Sequence, residues 1–283
     1  MAKKQNPRHT DHHRAVIKLL ESFSPRHRIH RVWEDFIASA ACAISSPVEP
    51  ARRASREAEY AKIQARYTPE EMAIFSQCLA HVVMALEERY QDFLGSLYMG
   101  LNLGNAGTGQ FFTPYEVSLL MARMLHGQRD LAAWVRERGG FVTLNDPCTG
   151  GGAMLIAVAE QFRDQGLSPH RTLHVTGVDI DRTAVQMSYI QLSLLNVPAI
   201  LLFGNSLSQE PYKGWNTESA WRTPAHCLFG WERRLHERDE QDAAQRIRSR
   251  ETEPSTEGEQ PPPVIAVPSE GAVQLNLLEL EGA

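Results

Sequence analysis

The chain has 283 residues, 42% of them hydrophobic, with 29 lysines and arginines against 34 acidic residues and a net charge of −5. That length accommodates one well-buried α/β domain with a helical extension and tails, and excludes two full-sized domains. No apolar run is long enough to cross a bilayer, Met1-Ala2-Lys3-Lys4 lacks a signal-peptide pattern, and Cys42, Cys78, Cys148 and Cys227 form no Cys-x-x-Cys pair; a cytoplasmic protein with no disulfide framework and no zinc is expected.

The charge is unevenly spread. From Glu251 onward there are seven acidic residues and no basic ones, so −5 overall against −7 for the tail leaves +2 on the remainder. The first third is the most basic part, with Lys3, Lys4, Arg8, Arg14, Lys18, Arg26, Arg28, Arg31, Arg52, Arg53 and Arg56, a set compatible with phosphate contacts and equally with a solvated helical face. His12-His13 and His27-x-x-His30 have no cysteine or carboxylate partners at ligand spacing, and no metal is expected there.

Residues 1–100 read as an N-terminal helical segment. Helical spacing of apolar residues covers 13–23 and 29–44, with Trp33, Phe36, Ile37 and Ala40-Ala41 on one face and Ser45-Ser46-Pro47 as the stop. Thr68-Pro69-Glu70-Glu71 is a helix start with Thr68 as N-cap and Glu71 at the capping-box position, and predicts one long helix ending before Gly100. A helix after Pro114 reaches about Leu125, a short one spans Leu131 to Glu137, and an α/β core follows.

That core opens with the strand Phe141-Val142-Thr143-Leu144, which runs into Asn145-Asp146-Pro147-Cys148-Thr149-Gly150-Gly151-Gly152 and then the apolar helix beginning Ala153-Met154-Leu155-Ile156. Glycines at 150 and 152 let backbone approach a ligand closely. A second strand, Leu173 to Asp179, ends in a carboxylate 29 positions after Gly150, where it can accept both hydroxyls of a ribose. The third glycine of the dinucleotide fingerprint is missing, and Asp146 suits an ammonium group better than a pyrophosphate, which tilts the ligand toward S-adenosylmethionine. The helix Arg182 to Leu195 and a third strand, Ala199 to Phe203, follow, the latter ending in Gly204-Asn205-Ser206-Leu207.

Together with Gly109-Gln110-Phe111-Phe112-Thr113-Pro114 upstream, these elements resemble the adenine-specific N-6 DNA methylases, in particular the modification subunits of type I restriction systems. The likeness covers roughly residues 91 to 207, starting at Gln91-Asp92-Phe93-Leu94-Gly95-Ser96-Leu97-Tyr98. It implies a Rossmann-like S-adenosylmethionine-dependent methyltransferase core over residues 101–232, behind the helical segment 1–100. It also implies that Phe111, Thr113 and Pro114 close over the methionine end of the cofactor, that Asp146 and Gly150 meet its amino acid part with Gly152 also in the cofactor-binding turn, that Asp179 holds the ribose, and that Asn205 and Ile180 meet the adenine ring. Read locally, the same residues are ordinary structure: Thr113-Pro114 an N-cap followed by proline, Asn205 a turn residue.

The family's fifth element, Asn/Asp-Pro-Pro-Tyr/Phe, does not occur in the chain. Adenine's exocyclic nitrogen has its lone pair delocalised into the ring, so such a site needs two acceptors for its hydrogens and a ring to stack on the flipped base. At the expected spacing stands Thr223-Pro224-Ala225-His226, in which Thr223, the Pro224 carbonyl and the His226 imidazole form a weakened catalytic set, or simply a turn. The domain reads as truncated, with an open edge beside the first strand. Cys227 to Trp231 is a candidate fourth strand, and the charged helix 233–250 or a partner protein, such as a specificity subunit, is a candidate cover.

Residues 251–283 form an acidic, proline-rich tail whose composition does not support folding. Within it Gln274-Leu275-Asn276-Leu277-Leu278 resembles the peptide with which bacterial DNA-processing proteins bind the replication sliding clamp, through Gln274, Leu275, Leu277 and Leu278; the other reading is a tail that docks on its own domain. Two functions follow: a DNA adenine N-6 methyltransferase, and a non-catalytic S-adenosylmethionine-binding, DNA-associated regulatory protein tethered to the clamp.

Overall fold

Three parallel strands, each crossing to the next through helix, form the centre of the molecule in a computed structural model that describes residues 11–23, 26–103, 112–127, 129–208 and 220–252. In chain order the elements are α1 (His12–Glu21), α2 (Ile29–Ser45), α3 (Arg53–Gln64), α4 (Pro69–Glu88), α5 (Phe93–Gly100), α6 (Tyr115–His126), α7 (Leu131–Glu137), β1 (Val142–Asp146), α8 (Ala153–Asp164), α9 (Pro169–Thr172), β2 (Leu173–Asp179), α10 (Arg182–Leu194), β3 (Ala199–Phe203), β4 (Ala220–Arg222), α11 (Pro224–Leu228) and α12 (Trp231–Thr252). The sheet order is β1-β2-β3-β4, with β4 antiparallel to β3. This is the expected α/β, Rossmann-like class. Phe111 and the clamp-like residues Gln274, Leu275, Leu277 and Leu278 lie outside the described residues.

The chain divides into two units, the first ending at His236; of the second, the structure describes the helical run from Glu237 to Thr252. Within the first unit, residue 100 is no boundary of packing. Trp33, Phe36 and Ile37 of α2 belong to the same hydrophobic core as Leu155, Ile156, Val185 and Ile190 of α8 and α10. The capping box of α4 is present as the sequence implies: the Glu71 N–H donates to Thr68 Oγ1 at 3.2 Å and the Thr68 N–H to Glu71 Oε2 at 2.8 Å. The expected single helix to residue 100 breaks at Arg89–Asp92, where the Asp92 carboxylate accepts from the Gly95 N–H and starts α5.

The helical part also covers the far end of the sheet. Arg56 lays its guanidinium 3.3 Å from the centre of the Trp221 ring and donates to the Ala220 carbonyl at 3.1 Å. Glu49 lies within 3.1 Å of Arg52 and 3.5 Å of Arg222 and accepts from Ser45. Arg52 and Arg56, counted in the sequence among candidate phosphate contacts, are therefore internal groups that hold α3 and the preceding turn against β4.

The fourth strand is Ala220–Arg222 on β3, not Cys227 to Trp231, whose first residues close the short helix α11. The reason is local: Thr223 caps α11, and Pro224 sits at its first turn, where a missing N–H costs nothing. Trp231 is fully buried, edge-on to Phe141 and against His174, with its indole N–H on the His170 carbonyl at 3.0 Å. Among the described residues no helix is long and apolar enough to cross a membrane.

At this end of the sheet His174 Nε2 and His226 Nδ1 share a hydrogen bond of 3.0 Å, with both rings buried. One nitrogen has to donate and the other accept, so the two rings cannot both be protonated. Burial, then the neighbouring Arg222, lowers His226 to about 4, and burial, then His226, lowers His174 well below the ordinary histidine value. The unfolded chain takes up protons at about pH 6.5 while the folded one resists, so this stability is intact above that pH and is lost as pH falls toward 4. Thermal melts from pH 7 to 4 should show an acid-side loss on the order of 3 kcal/mol from His226, and a His226→Gln variant, which removes one titrating ring, should show a shallower loss.

Candidate cofactor site

The carboxyl ends of β1 and β2 meet at the glycine turn. β1 pairs Asp146 with Gly177 of β2, so Asp179, two residues further, projects from the same edge, close enough for its carboxylate to raise that of Asp146 electrostatically. The turn is held on several sides. Asp179 Oδ2 accepts the Gly150 N–H at 2.8 Å, while its Oδ1 accepts the Asp181 N–H at 2.9 Å. From α10, Ser188 Oγ donates to the Gly150 carbonyl at 2.7 Å and Gln191 Nε2 to the Gly151 carbonyl at 2.7 Å.

Two of the glycines are required by geometry. Gly150 has φ +52, and a Cβ there would stand 3.0 Å from Cδ1 of Phe112; Gly152 has φ +94, and a Cβ there would stand 3.0 Å from Ser188 Oγ. Phe112 also packs against Tyr98, with ring centres 5.0 Å apart. The segment before α6 thus leans an aromatic ring on the glycine turn.

Between them lies a cavity of about 350 Å³ lined in part by Asp92, Phe112, Thr113, Asp146, Gly150 and Gly151, within the roughly 300–1,000 Å³ of small-molecule sites. A second cavity of similar volume shares Asp92, Phe112 and Thr113 with it and adds Pro114. Of the residues singled out in the sequence, Thr113, Asp146 and Gly150 line the first cavity. Pro114 lines the second and is the N-cap position of α6, with no side-chain capping bond, so Thr113 is not spent as the cap. Asp179 braces the turn. Gly152 serves the contact of the turn with α10. Ile180 is 71% exposed just after β2, and Asn205 is an exposed turn residue whose Oδ1 accepts the Leu207 N–H at 3.0 Å. Neither lines the cavity.

The catalytic expectation is corrected. Thr223 is fully buried, its hydroxyl accepting the Ala199 N–H at 2.9 Å and donating to the Val197 carbonyl at 2.8 Å, at the amino end of β3. His226 pairs with His174 at the amino end of β2, and Pro224 opens α11. At about 3.3 Å per residue, the five steps from His174 to Asp179 put this set roughly 16 Å from the carboxylate that braces the turn, and none of its three residues lines either cavity. Thr223, Pro224 and His226 are the cap and packing of a short helix.

The cavity's chemistry fits a cationic ligand with an apolar body. Burial raises Asp146 and Asp179 above the ordinary carboxylate range, and also Asp92, which in the sequence opens the family likeness without a site role. Leu144, Met121, Met154 and Phe112 supply apolar wall, and Thr149 Oγ1 is buried there with no hydrogen-bond partner. S-adenosylmethionine, with an ammonium and a sulfonium on a compact frame, matches carboxylates of this kind.

Residues 90–228, just under half of the chain, match the family model described as N-6 DNA Methylase. No curated protein sequence matches the chain. A solved structure from Listeria monocytogenes, of a protein assigned to the class I S-adenosylmethionine-dependent methyltransferases, overlays with a TM-score of 0.38 at 14% identity, covering 70% of this chain and 54% of that one. The chain thus spans about half of that protein, and an overlay so loose does not bear on the site. Residues 90–228 are thus similar to a family of methyltransferases, which implies S-adenosylmethionine as the methyl donor.

The turn yields a prediction independent of any ligand. Gly152→Ala imposes a left-handed alanine and presses on Ser188, a strain of about 1–2 kcal/mol or more; calorimetric melting should fall by several degrees, and an unchanged melting temperature would contradict the packing described.

Proposed function

We propose, from the premise that residues 90–228 form an N-6 DNA methylase domain, that the chain binds S-adenosylmethionine at the carboxyl edge of β1 and β2 and takes part in methylating the N-6 nitrogen of adenine in DNA. The observation that carries this reading is the cavity holding Asp146, Gly150 and Thr113 together beside the buried carboxylate of Asp92. In this reading Asp146 and the turn backbone hold the amino acid end of the cofactor, Phe112 and Thr113 shield it from water, and Asp179 fixes the turn. When bound, the cofactor supplies an electrophilic methyl group.

The chain holds no Asn/Asp-Pro-Pro-aromatic sequence, and its nearest substitute is buried at the wrong end of the sheet. We therefore assign the acceptor set, and the choice of DNA site, to a partner protein that continues the sheet. Two features support this. Among the described residues β1 is paired on one side only. Packed on α8, α6 buries its small residues Ser118 and Ala122 and exposes Val117, Leu120, Met121, Met124 and Leu125, an apolar stripe at helical spacing with Met124 77% and Leu125 66% exposed. Met121 also lines the cofactor cavity, so a protein seated on the stripe reaches the methyl donor.

The lack of an acceptor set favours a second reading, a non-catalytic cofactor-binding protein associated with DNA and tethered to a sliding clamp through Gln274 to Leu278. Labelled cofactor, mixed-sequence duplex DNA and the purified chain, with and without candidate specificity subunits, separate the two. The first reading expects transfer that needs the partner and falls roughly tenfold or more in Asp146→Ala, by loss of a charge-assisted contact. Cofactor binding without transfer under every condition would leave the second reading. Deletion of Gln274 to Leu278 should abolish binding to purified clamp; unchanged binding would rule out the tether.

A further inference from the structure

Asp92 stands out among the buried groups that the cofactor reading leaves unused. It is 5% exposed and lines both cavities. Its Oδ1 accepts the Gly95 N–H at 2.8 Å and Gln191 Nε2 at 2.8 Å, whereas no hydrogen bond reaches Oδ2 from the described residues. Two glycines flank the carboxylate. A Cβ on Gly151 would stand 3.1 Å from Oδ1 and 3.2 Å from Oδ2, and one on Gly95 would overlap it. Gln191 ties the arrangement together, since the same Nε2 that donates to Asp92 also donates to the Gly151 carbonyl, while its Oε1 accepts the Leu94 N–H at 2.9 Å.

A helix cap requires one carboxylate oxygen and tolerates full exposure. Here the cap is buried against the glycine turn, with no basic side chain paired to it among the described residues, and burial raises its carboxyl above the usual range. A buried carboxylate in that condition either stays protonated or meets a cation. The cavity wall it shares with Asp146 and Thr113 borders Gly150 and Gly151, where the cofactor reading puts the amino acid end of the ligand.

We propose that Asp92 is a further cofactor-binding residue, whose Oδ2 accepts a hydrogen bond from the α-ammonium group of S-adenosylmethionine opposite Asp146. The proposal rests on the cofactor reading and deepens it: α5 and its break from α4 exist to bring a carboxylate to the glycine turn, and Gln191 positions it by holding Oδ1.

The test is a coupling measurement by calorimetry on the full chain, using S-adenosylhomocysteine and its analogue lacking the α-amino group, with wild type, Asp92→Asn and Asp92→Ser. Asparagine keeps the acceptor for Gly95 and Gln191, and serine keeps a cap for α5, so one of the two retains the fold if the other does not. The wild type should bind the amino-bearing ligand more tightly than the analogue, and loss of the charged contact should shrink that preference about ten- to a hundredfold. An unchanged preference in a folded variant that still binds would overturn the role of Asp92 and leave the cofactor site standing. No binding of either ligand by the wild type would overturn the cofactor reading itself, and this proposal with it.

Discussion

The site depends on the 2.8 Å hydrogen bond from the Gly150 N–H to the Asp179 carboxylate. It joins two residues 29 apart in the chain and locks the turn after β1 to the tip of β2. With φ +52 at Gly150 and +94 at Gly152, the turn folds back so that its carbonyls face α10, where Ser188 and Gln191 receive them. What remains on the other side is a concave wall with carboxylates and apolar side chains and, among the described residues that line it, no lysine or arginine to neutralise them. Binding chemistry thus follows from how the backbone polar groups of the turn are satisfied.

The helices before residue 100 are part of this construction. α2 packs on α10, α5 delivers Asp92 to the turn, and Arg56 and Glu49 seat α3 and its preceding turn on β4. A buried arginine over an indole and a buried glutamate between arginines are costly unless every partner is in place. These groups fix how the helical part meets the sheet, which an apolar contact of the same size would fix less sharply.

Much of this was legible in the sequence because it follows from short-range rules. The strand–turn–helix at Asp146 to Ala153, the carboxylate ending β2 and the capping box at Thr68 and Glu71 are written in hydrophobic period, glycine placement and cap chemistry. The misses have physical causes. α3 is polar nearly throughout, burying only Arg56 and Ile63, so no apolar stripe announces it. The break at Arg89–Asp92 has neither glycine nor proline, and only the pairing of Asp92 with Gly95 marks it. β4 is three residues long, and its Arg222 is buried because Glu49, 173 positions away, lies beside it. Thr223-Pro224 and Thr113-Pro114 offer the same cap-then-proline pattern; it caps a helix at Thr223, where the sequence suggests catalysis, and not at Thr113, because Thr113 lines the cavity and Pro114 itself takes the cap position.

The central claim is a location, the carboxyl edge of β1 and β2, and ultraviolet crosslinking of labelled S-adenosylmethionine to the full chain, with the modified peptides mapped by mass spectrometry, tests it most directly. Label should fall in residues 112–121 and 144–154, which line the cavity. Label confined to 220–228, at the amino end of the sheet, or saturation without any label in the two cavity segments, would contradict it.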